Sequence, residues 1–180
     1  MASTPIKKIN LLALAEGMPG LTEAWGTMLA EAAAVCLEDR GHQIGIALHL
    51  TGLKTDKYPL EWKSADEQAR RCYNDLQVAT ELGAYGIAIL MVKDITGKVV
   101  IERSKKGTGF DYWVSDQDDD SLFSGKLRLE VSGILAGNRS VLQSRVREKK
   151  EQMKPSSGLG PGYVAVVEFG TPIACVEDTT

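Results

Sequence analysis

Two acidic residues, Asp111 and Glu130, have the surroundings of a metal-binding pair. Each lies in a short segment with the pattern of a β-strand, so neighbouring strands would bring both carboxylates to one face of a sheet. Hard divalent cations such as Mg²⁺ prefer such oxygen ligands, usually one or two carboxylates with waters and a substrate phosphate. The alternative is an exposed strand on which Glu130 pairs with Arg128 or Lys126.

Basic residues accompany this acidic pair along the sequence. The turn Lys105-Lys106-Gly107-Thr108-Gly109 leads into Asp111, and its glycines would let the backbone approach a phosphodiester closely. Arg145 and Lys149 belong to a basic helical segment that could also contact phosphates. Each feature also has a purely structural interpretation. The turn could simply be a tight hairpin turn, and the basic residues of the helix could be favoured by the dipole at its C-terminus.

Three predicted strands, at residues 98–103, 110–114 and 126–132, position the two carboxylates. The third strand alternates strictly between apolar and polar residues. Since alternate residues of a strand point to opposite faces, Leu129 would be buried while Glu130 lies on a charged face. That charged face is either a solvated surface of the sheet or the floor of a polar site.

Helices are predicted on both sides of these strands. One helix would span residues 65–94, opened by the capping box Ser64-Ala65-Asp66-Glu67. Its second part, residues 84–94, also fits a buried strand, and the helix is the favoured interpretation. The other elements predicted from the pattern are helices at 22–40 (capped by Thr22) and 139–153, strands at 44–50 and 163–169, a polar loop at 52–59 and a frayed tail from Thr171.

Length and composition bound the function. A chain of 180 residues suits one domain with a hydrophobic core, and its net charge of −3 confines any nucleic-acid contact to a local basic patch. Three widely spaced cysteines argue against a disulfide framework and suit the cytoplasm. We recognise no zinc-binding spacing, signal peptide or membrane-spanning run. The acidic run 116–120 lacks the glycine and glutamate of an EF-hand, and the glycine-rich 158–162 lacks the lysine of a P-loop.

The predicted order αβββαβ, with Asp111 on the second strand and Glu130 on the third, resembles the restriction-endonuclease-like (PD-(D/E)xK) nuclease superfamily. The resemblance covers about residues 64–170. The segments Gly107-Thr108-Gly109-Phe110-Asp111-Tyr112-Trp113 and Leu129-Glu130-Val131-Ser132-Gly133 are also similar to those of uncharacterised bacterial proteins with this fold. The resemblance implies an α/β domain with a mixed central sheet flanked by helices, extended by an N-terminal helix and strand within residues 1–63.

The resemblance also implies an activity, that of a Mg²⁺- or Mn²⁺-dependent nuclease. Asp111 and Glu130, with the carbonyl of Val131, would bind the metal. The superfamily carries a catalytic lysine two residues after the glutamate, where this chain has Ser132. The expected substitute for that lysine is Gln143 or a basic residue of the following helix. The expected nucleic-acid contacts are Lys105, Lys106, Arg145 and Lys149.

The missing lysine leaves a second function open. A non-catalytic subunit could keep the nuclease fold and use its surface to engage a protein or DNA partner. The sequence does not specify the oligomeric state.

Overall fold

The computed structural model describes residues 7–117 and 125–179, which form a mixed α/β fold. Its strands are β1 (Ile9–Asn10), β2 (Ala47–Gly52), β3 (Asp56–Glu61), β4 (Val99–Arg103), β5 (Tyr112–Ser115), β6 (Leu127–Ile134), β7 (Gly162–Glu168) and β8 (Ile173–Asp178). They make one eight-stranded sheet in the order β1-β3-β2-β8-β7-β6-β5-β4. The pairs β1–β3, β2–β8 and β6–β7 are parallel, and the other neighbours are antiparallel.

Four α-helices and two 3-10 helices flank the sheet. The α-helices are α1 (Glu23–Asp39), α2 (Glu67–Cys72), α3 (Leu76–Thr96) and α4 (Arg139–Met153), and the 3-10 helices are Leu11–Glu16 and Lys154–Leu159. Helices α1 and α3 share one hydrophobic cluster with β5 and β6, whereas α4 packs on the opposite face of β6 and β7. None of the helices in the described ranges is both long and apolar enough to cross a membrane.

The predicted pairing of the second and third strands is confirmed. Tyr112 pairs with Leu129 and Val114 with Leu127 in an antiparallel ladder. From α3 to β7 the α-helices and strands follow the order αβββαβ.

The helical interpretation of residues 84–94 is also confirmed, because they lie inside α3. Helix α3 packs between α1 and the sheet, so residues 83–92 are all buried. A helix that is buried on every side has no polar face, which explains why its sequence resembled a strand.

Several predicted boundaries are wrong, each for a local reason. The long helix is divided into α2 and α3 because Asp75 accepts hydrogen bonds from the amides of Gln77 and Val78 and so caps a new helix. Ser64 is not the N-cap of α2, since the carboxylate of Asp66 accepts the amide of Ala69 at 2.8 Å instead.

The two segments assigned to loop and tail are strands. The predicted loop 52–59 overlaps β3, whose Tyr58 and Leu60 are buried, and the predicted tail contains β8. Strand β8 lies between β2 and β7 in the middle of the sheet, with Ala174 and Val176 almost fully buried. The acidic run 116–120 falls partly outside the described residues.

Both faces of β6 are covered, so neither is a solvated surface. Leu129 and Val131 pack toward α3, whereas Glu130 and Ser132 lie beneath α4, and all four are buried. Gly133 lets α3 approach closely, because a Cβ there would lie 2.4 Å from the carbonyl oxygen of Thr80. The charged face of this strand is therefore the floor of a covered polar site.

A buried arginine holds the end of α4 against the sheet. Arg128 is 2% exposed and donates to three oxygen atoms: from Nε to the Gly160 carbonyl at 2.8 Å, and from Nη1 to the Met153 carbonyl at 2.8 Å and Ser156 Oγ at 2.7 Å. Carbonyls at a helix C-terminus carry partial negative charge, so they suit a buried cation. This contact fixes where α4 ends relative to β6.

We expect Leu129→Ala to lower the free energy of unfolding by about 2–5 kcal/mol, because it leaves a cavity at a fully buried position. Chemical denaturation of both proteins measures this loss. Leu159→Ala, at a 53% exposed position, is the matched control and should change stability by less than about 0.5 kcal/mol. Equal small losses in both variants would show that this face of β6 is not part of the core.

Candidate active site

The candidate site lies at the N-terminal end of β5, where β6 continues without it. Pairing between the two strands stops at Tyr112 and Leu129, although β6 runs on to Ile134. Beyond this point the edge of β6 opens into a cleft of about 870 Å³ between α3 and α4. The cleft is lined by both predicted carboxylates, Asp111 and Glu130.

Asp111 stands at the end of the ladder and takes the place of a missing strand partner. Its own amide donates to the Leu129 carbonyl at 2.9 Å, so the backbone still contacts β6 there. Its Oδ2 accepts the amide of Val131 at 2.8 Å, a group that would otherwise face the open edge of the sheet. Its Oδ1 accepts the hydroxyl of Tyr85 from α3 at 2.9 Å. These three contacts fix the carboxylate in the wall of the cleft.

Glu130 is almost fully enclosed, with a side-chain exposure of 3%. Its Oε1 accepts Lys149 Nζ at 2.6 Å and Gln152 Nε2 at 2.9 Å, both from α4. Burial and the nearby Asp111 raise the pKa of Glu130 to about 7, although the ion pair with Lys149 opposes this shift. The ion pair with Lys149 therefore does not fully offset the effects of burial and of the second carboxylate on Glu130.

Two basic side chains of α4 reach β6 near the two carboxylates. Ser132, at the position of the superfamily lysine, accepts Arg145 Nη1 at 2.8 Å, while Lys149 reaches Glu130 from the same helix. The spacing of Arg145, Lys149 and Gln152 places them on one stripe of α4, next to the buried stripe. Arg145 and Lys149 both line the cleft, and the expectation that a basic residue of this helix takes the role of the missing lysine stays a prediction.

The carbonyl of Val131 faces the same open edge as its amide. In a strand, the N–H and C=O of one residue point to the same side, and the Val131 amide points toward Asp111. The backbone thus turns an oxygen toward the open edge of β6, and its role as a metal ligand stays a prediction.

Other predicted residues lie outside this cleft. Gln143 lines a separate cavity of about 620 Å³ beside His49 and Cys175, so its predicted place in the site is wrong. Lys105 and Lys106 are exposed in the loop between β4 and β5 and do not line the cleft.

The alternative prediction, that Glu130 lies on an exposed strand and pairs with Arg128 or Lys126, is also wrong. Arg128 binds backbone carbonyls rather than Glu130, and Lys126 Nζ lies 4.1 Å from the ring centroid of Trp113. The charge partner of Glu130 is Lys149, a residue 19 positions along the chain.

Gln152 and Tyr85 are site residues that the sequence did not single out. Gln152 bonds both Glu130 and Lys149, and it also donates to the Gly109 carbonyl at 3.3 Å. Burial and the adjacent Asp111 raise the pKa of Tyr85, so its hydroxyl remains a donor to that carboxylate. The helical spacing of Gln152 from Lys149 was a usable signal, whereas Tyr85 lies in the buried stretch 83–92 of α3, among small and apolar residues, and gave none.

The donor set is small and consists of oxygen atoms. No group of three or more His, Cys, Asp or Glu side chains in the described ranges could hold a metal ion. Asp111, Glu130 and the Val131 carbonyl offer two carboxylates and one backbone carbonyl, which is a donor set suited to a hard cation that keeps several waters.

The titration of Glu130 predicts a measurable effect of pH on stability. Folded Glu130 keeps its proton to about pH 7, whereas the unfolded side chain loses it near its ordinary value of 4.5. Unfolding therefore releases a proton between these values, and stability falls as pH rises through this window. Relative to Glu130→Gln, the wild-type protein should lose about 1–3 kcal/mol between pH 5 and pH 7.5 in chemical denaturation.

The exposed Glu151 provides the matched control for this titration. Glu151→Gln should follow the wild-type pH dependence, because its carboxylate is 67% exposed. Parallel stability curves for wild type and Glu130→Gln would show that Glu130 titrates normally.

Comparison of the chain with protein-family models, with curated proteins and with solved structures finds no match to any of them.

Proposed function

We propose that this protein is a metal-dependent phosphodiesterase that cleaves nucleic acid, a member of the restriction-endonuclease-like superfamily. The observation that carries the proposal is the convergence of Asp111, Glu130 and Lys149 on one open cleft. Two carboxylates and a lysine from three separate elements are the groups that the resemblance requires. Here the lysine comes from α4 rather than from β6.

The order of elements supports the same proposal. The helix-strand-strand-strand-helix-strand series from α3 to β7 places Asp111 directly before the second strand of the series and Glu130 on the third. The cleft opens between those two strands, where backbone pairing has ended. A substrate can therefore enter the cleft that both carboxylates line from this open edge of the sheet.

The residues present fit Mg²⁺ or Mn²⁺. Burial first, and the nearby carboxylate of Asp111 second, raise the pKa of Glu130, and a cation bound between the two carboxylates would favour the ionised form of both. Asp111, Glu130 and the Val131 carbonyl would hold the ion. When bound, it would lower the pKa of a coordinated water and neutralise charge on the phosphate.

The basic residues of α4 have separate roles in this proposal. The ammonium of Lys149 lies 2.6 Å from Glu130, where its charge would stabilise the negative charge that develops on a phosphate bound beside that carboxylate. Arg145 lies on the cleft wall, bonded to Ser132, and is placed to orient a phosphate oxygen. Gln152 holds Lys149 in position through its Oε1 at 2.9 Å.

One observation favours the second candidate, a non-catalytic binding module. Both oxygens of Asp111 already accept hydrogen bonds, and Glu130 already has a cationic partner. In that case the cleft would bind a nucleic acid or protein without a metal. A metal-binding measurement separates the two candidates.

We expect Mn²⁺ at millimolar concentration to raise the melting temperature, by roughly 2–4 °C for each kcal/mol of binding free energy. The shift should be larger at pH 8 than at pH 6, because Glu130 must lose its proton to bind metal. Asp111→Asn and Glu130→Gln should each abolish the shift. An unchanged shift in both variants would place any metal site elsewhere in the chain.

Cleavage is tested with labelled single- and double-stranded DNA and RNA in the presence of Mn²⁺. Lys149→Met should lower the rate by about 10²–10³-fold, since it removes a positive charge next to the reacting phosphate. Lys150→Met is the matched control, because Lys150 pairs with Glu177 at 2.8 Å and lies outside the cleft. Metal-induced stabilisation without cleavage of any substrate would favour the binding module.

A further inference from the structure

Arg103, the last residue of β4, is held in place by three aromatic rings. Its guanidinium carbon lies 5.0 Å from the ring centroid of Trp25 and 5.9 Å from those of Tyr85 and Tyr112. The rings are themselves fixed, because Tyr85 and Tyr112 are buried and Trp25 Nε1 donates to the Tyr112 hydroxyl at 3.2 Å. A cation above aromatic faces is attracted by their quadrupoles, so the side chain has a defined direction.

The hydrogen-bonding capacity of Arg103 is unused. The residue is exposed, and in the described ranges no carboxylate lies within 4 Å of its guanidinium and no protein atom accepts its N–H groups. Arg128 and Arg145, by contrast, donate to protein oxygens. A planar guanidinium with a free fork of donors matches the oxygens of a phosphate group.

Arg103 is also close to the candidate active site. It pairs in the β4–β5 ladder with Tyr112, which directly follows Asp111 in the chain. The ring of Tyr85 contacts the guanidinium of Arg103, while the hydroxyl of Tyr85 donates to Asp111 at 2.9 Å. A cavity of about 270 Å³, formed by Arg103 and Tyr112 with Trp25, Thr22 and Gly20, lies on this side of Tyr85.

We propose that Arg103 binds a phosphate of the nucleic-acid strand whose scissile phosphodiester lies in the cleft. This inference rests on the proposed function and specifies how the strand leaves the site, over Tyr85 toward the edge of the sheet. The phosphate is either an internal phosphodiester or a terminal phosphate, since both present the same oxygens to the guanidinium.

The test measures binding without cleavage, by fluorescence anisotropy of a labelled single-stranded oligonucleotide in EDTA. Arg103→Gln should weaken binding about tenfold and reduce the slope of log affinity against log salt by about one. Arg103→Lys keeps the charge above the rings but loses the fork, so its affinity should be intermediate. Arg147→Gln, at an exposed position of α4 outside the clefts, is the matched control and should bind as wild type does.

A second measurement reports on the same contact. Because the guanidinium lies over Trp25, a phosphate bound to Arg103 should change the emission of this tryptophan, and Trp25→Phe should remove the change. This fluorescence signal uses wild-type Arg103, so it tests the contact even if Arg103→Gln does not fold. Oligonucleotides with and without a 5′-phosphate then distinguish a terminal from an internal phosphate.

The outcomes separate this inference from the proposed function. Binding that depends on Arg103, with no cleavage under any condition, supports the inference and counts against the phosphodiesterase. If the wild-type protein cleaves nucleic acid but the Arg103→Gln and Arg147→Gln variants bind the oligonucleotide equally tightly, the inference is overturned and the proposed function stands. An unchanged Trp25 emission on binding also overturns it.

Discussion

The burial of the Glu130 carboxyl group is the constraint on which the rest of the site depends. Its side chain is 3% exposed and lies near a second carboxylate, Asp111. An isolated ion in such surroundings costs several kcal/mol, so the fold must supply a partner. Lys149 supplies the opposite charge and Gln152 a hydrogen bond, and both come from α4. The burial of Glu130 on β6 thus requires α4 to lie where Lys149 and Gln152 can reach its carboxyl group.

Strand β6 itself helps to fix that position. Arg128, two residues before Glu130 and on the same face, donates to the Met153 and Gly160 carbonyls at the end of α4. The strand therefore carries a cation that binds the end of the helix and an anion that binds its lysine. The two contacts set the height of α4 along the strand, and with it the place of Arg145 beside Ser132.

The other wall of the cleft is determined by the N-terminal end of β5, where pairing with β6 stops. Because pairing stops at Tyr112, the next free amide of β6, that of Val131, is bound by the carboxylate of Asp111 instead of by a strand. Tyr85 then connects Asp111 to the buried helix α3. The same break in the ladder creates the opening, positions the carboxylate of Asp111 and turns the Val131 carbonyl toward the open edge. One feature of the backbone therefore accounts for both the opening and the place of the charge.

The sequence by itself determined the local elements near the site. The alternation of β6 predicted a strand with Leu129 in the core, and the sequence pattern predicted a helix at 139–153, the observed bounds of α4. Period and capping are properties of neighbouring residues, so they are visible in the chain. Only the tertiary structure decided that β8 enters the middle of the sheet, that Glu130 is buried and that Lys149 rather than Gln143 reaches it. Those outcomes depend on which helix covers which face, and contacts between residues distant in sequence leave no periodic signal.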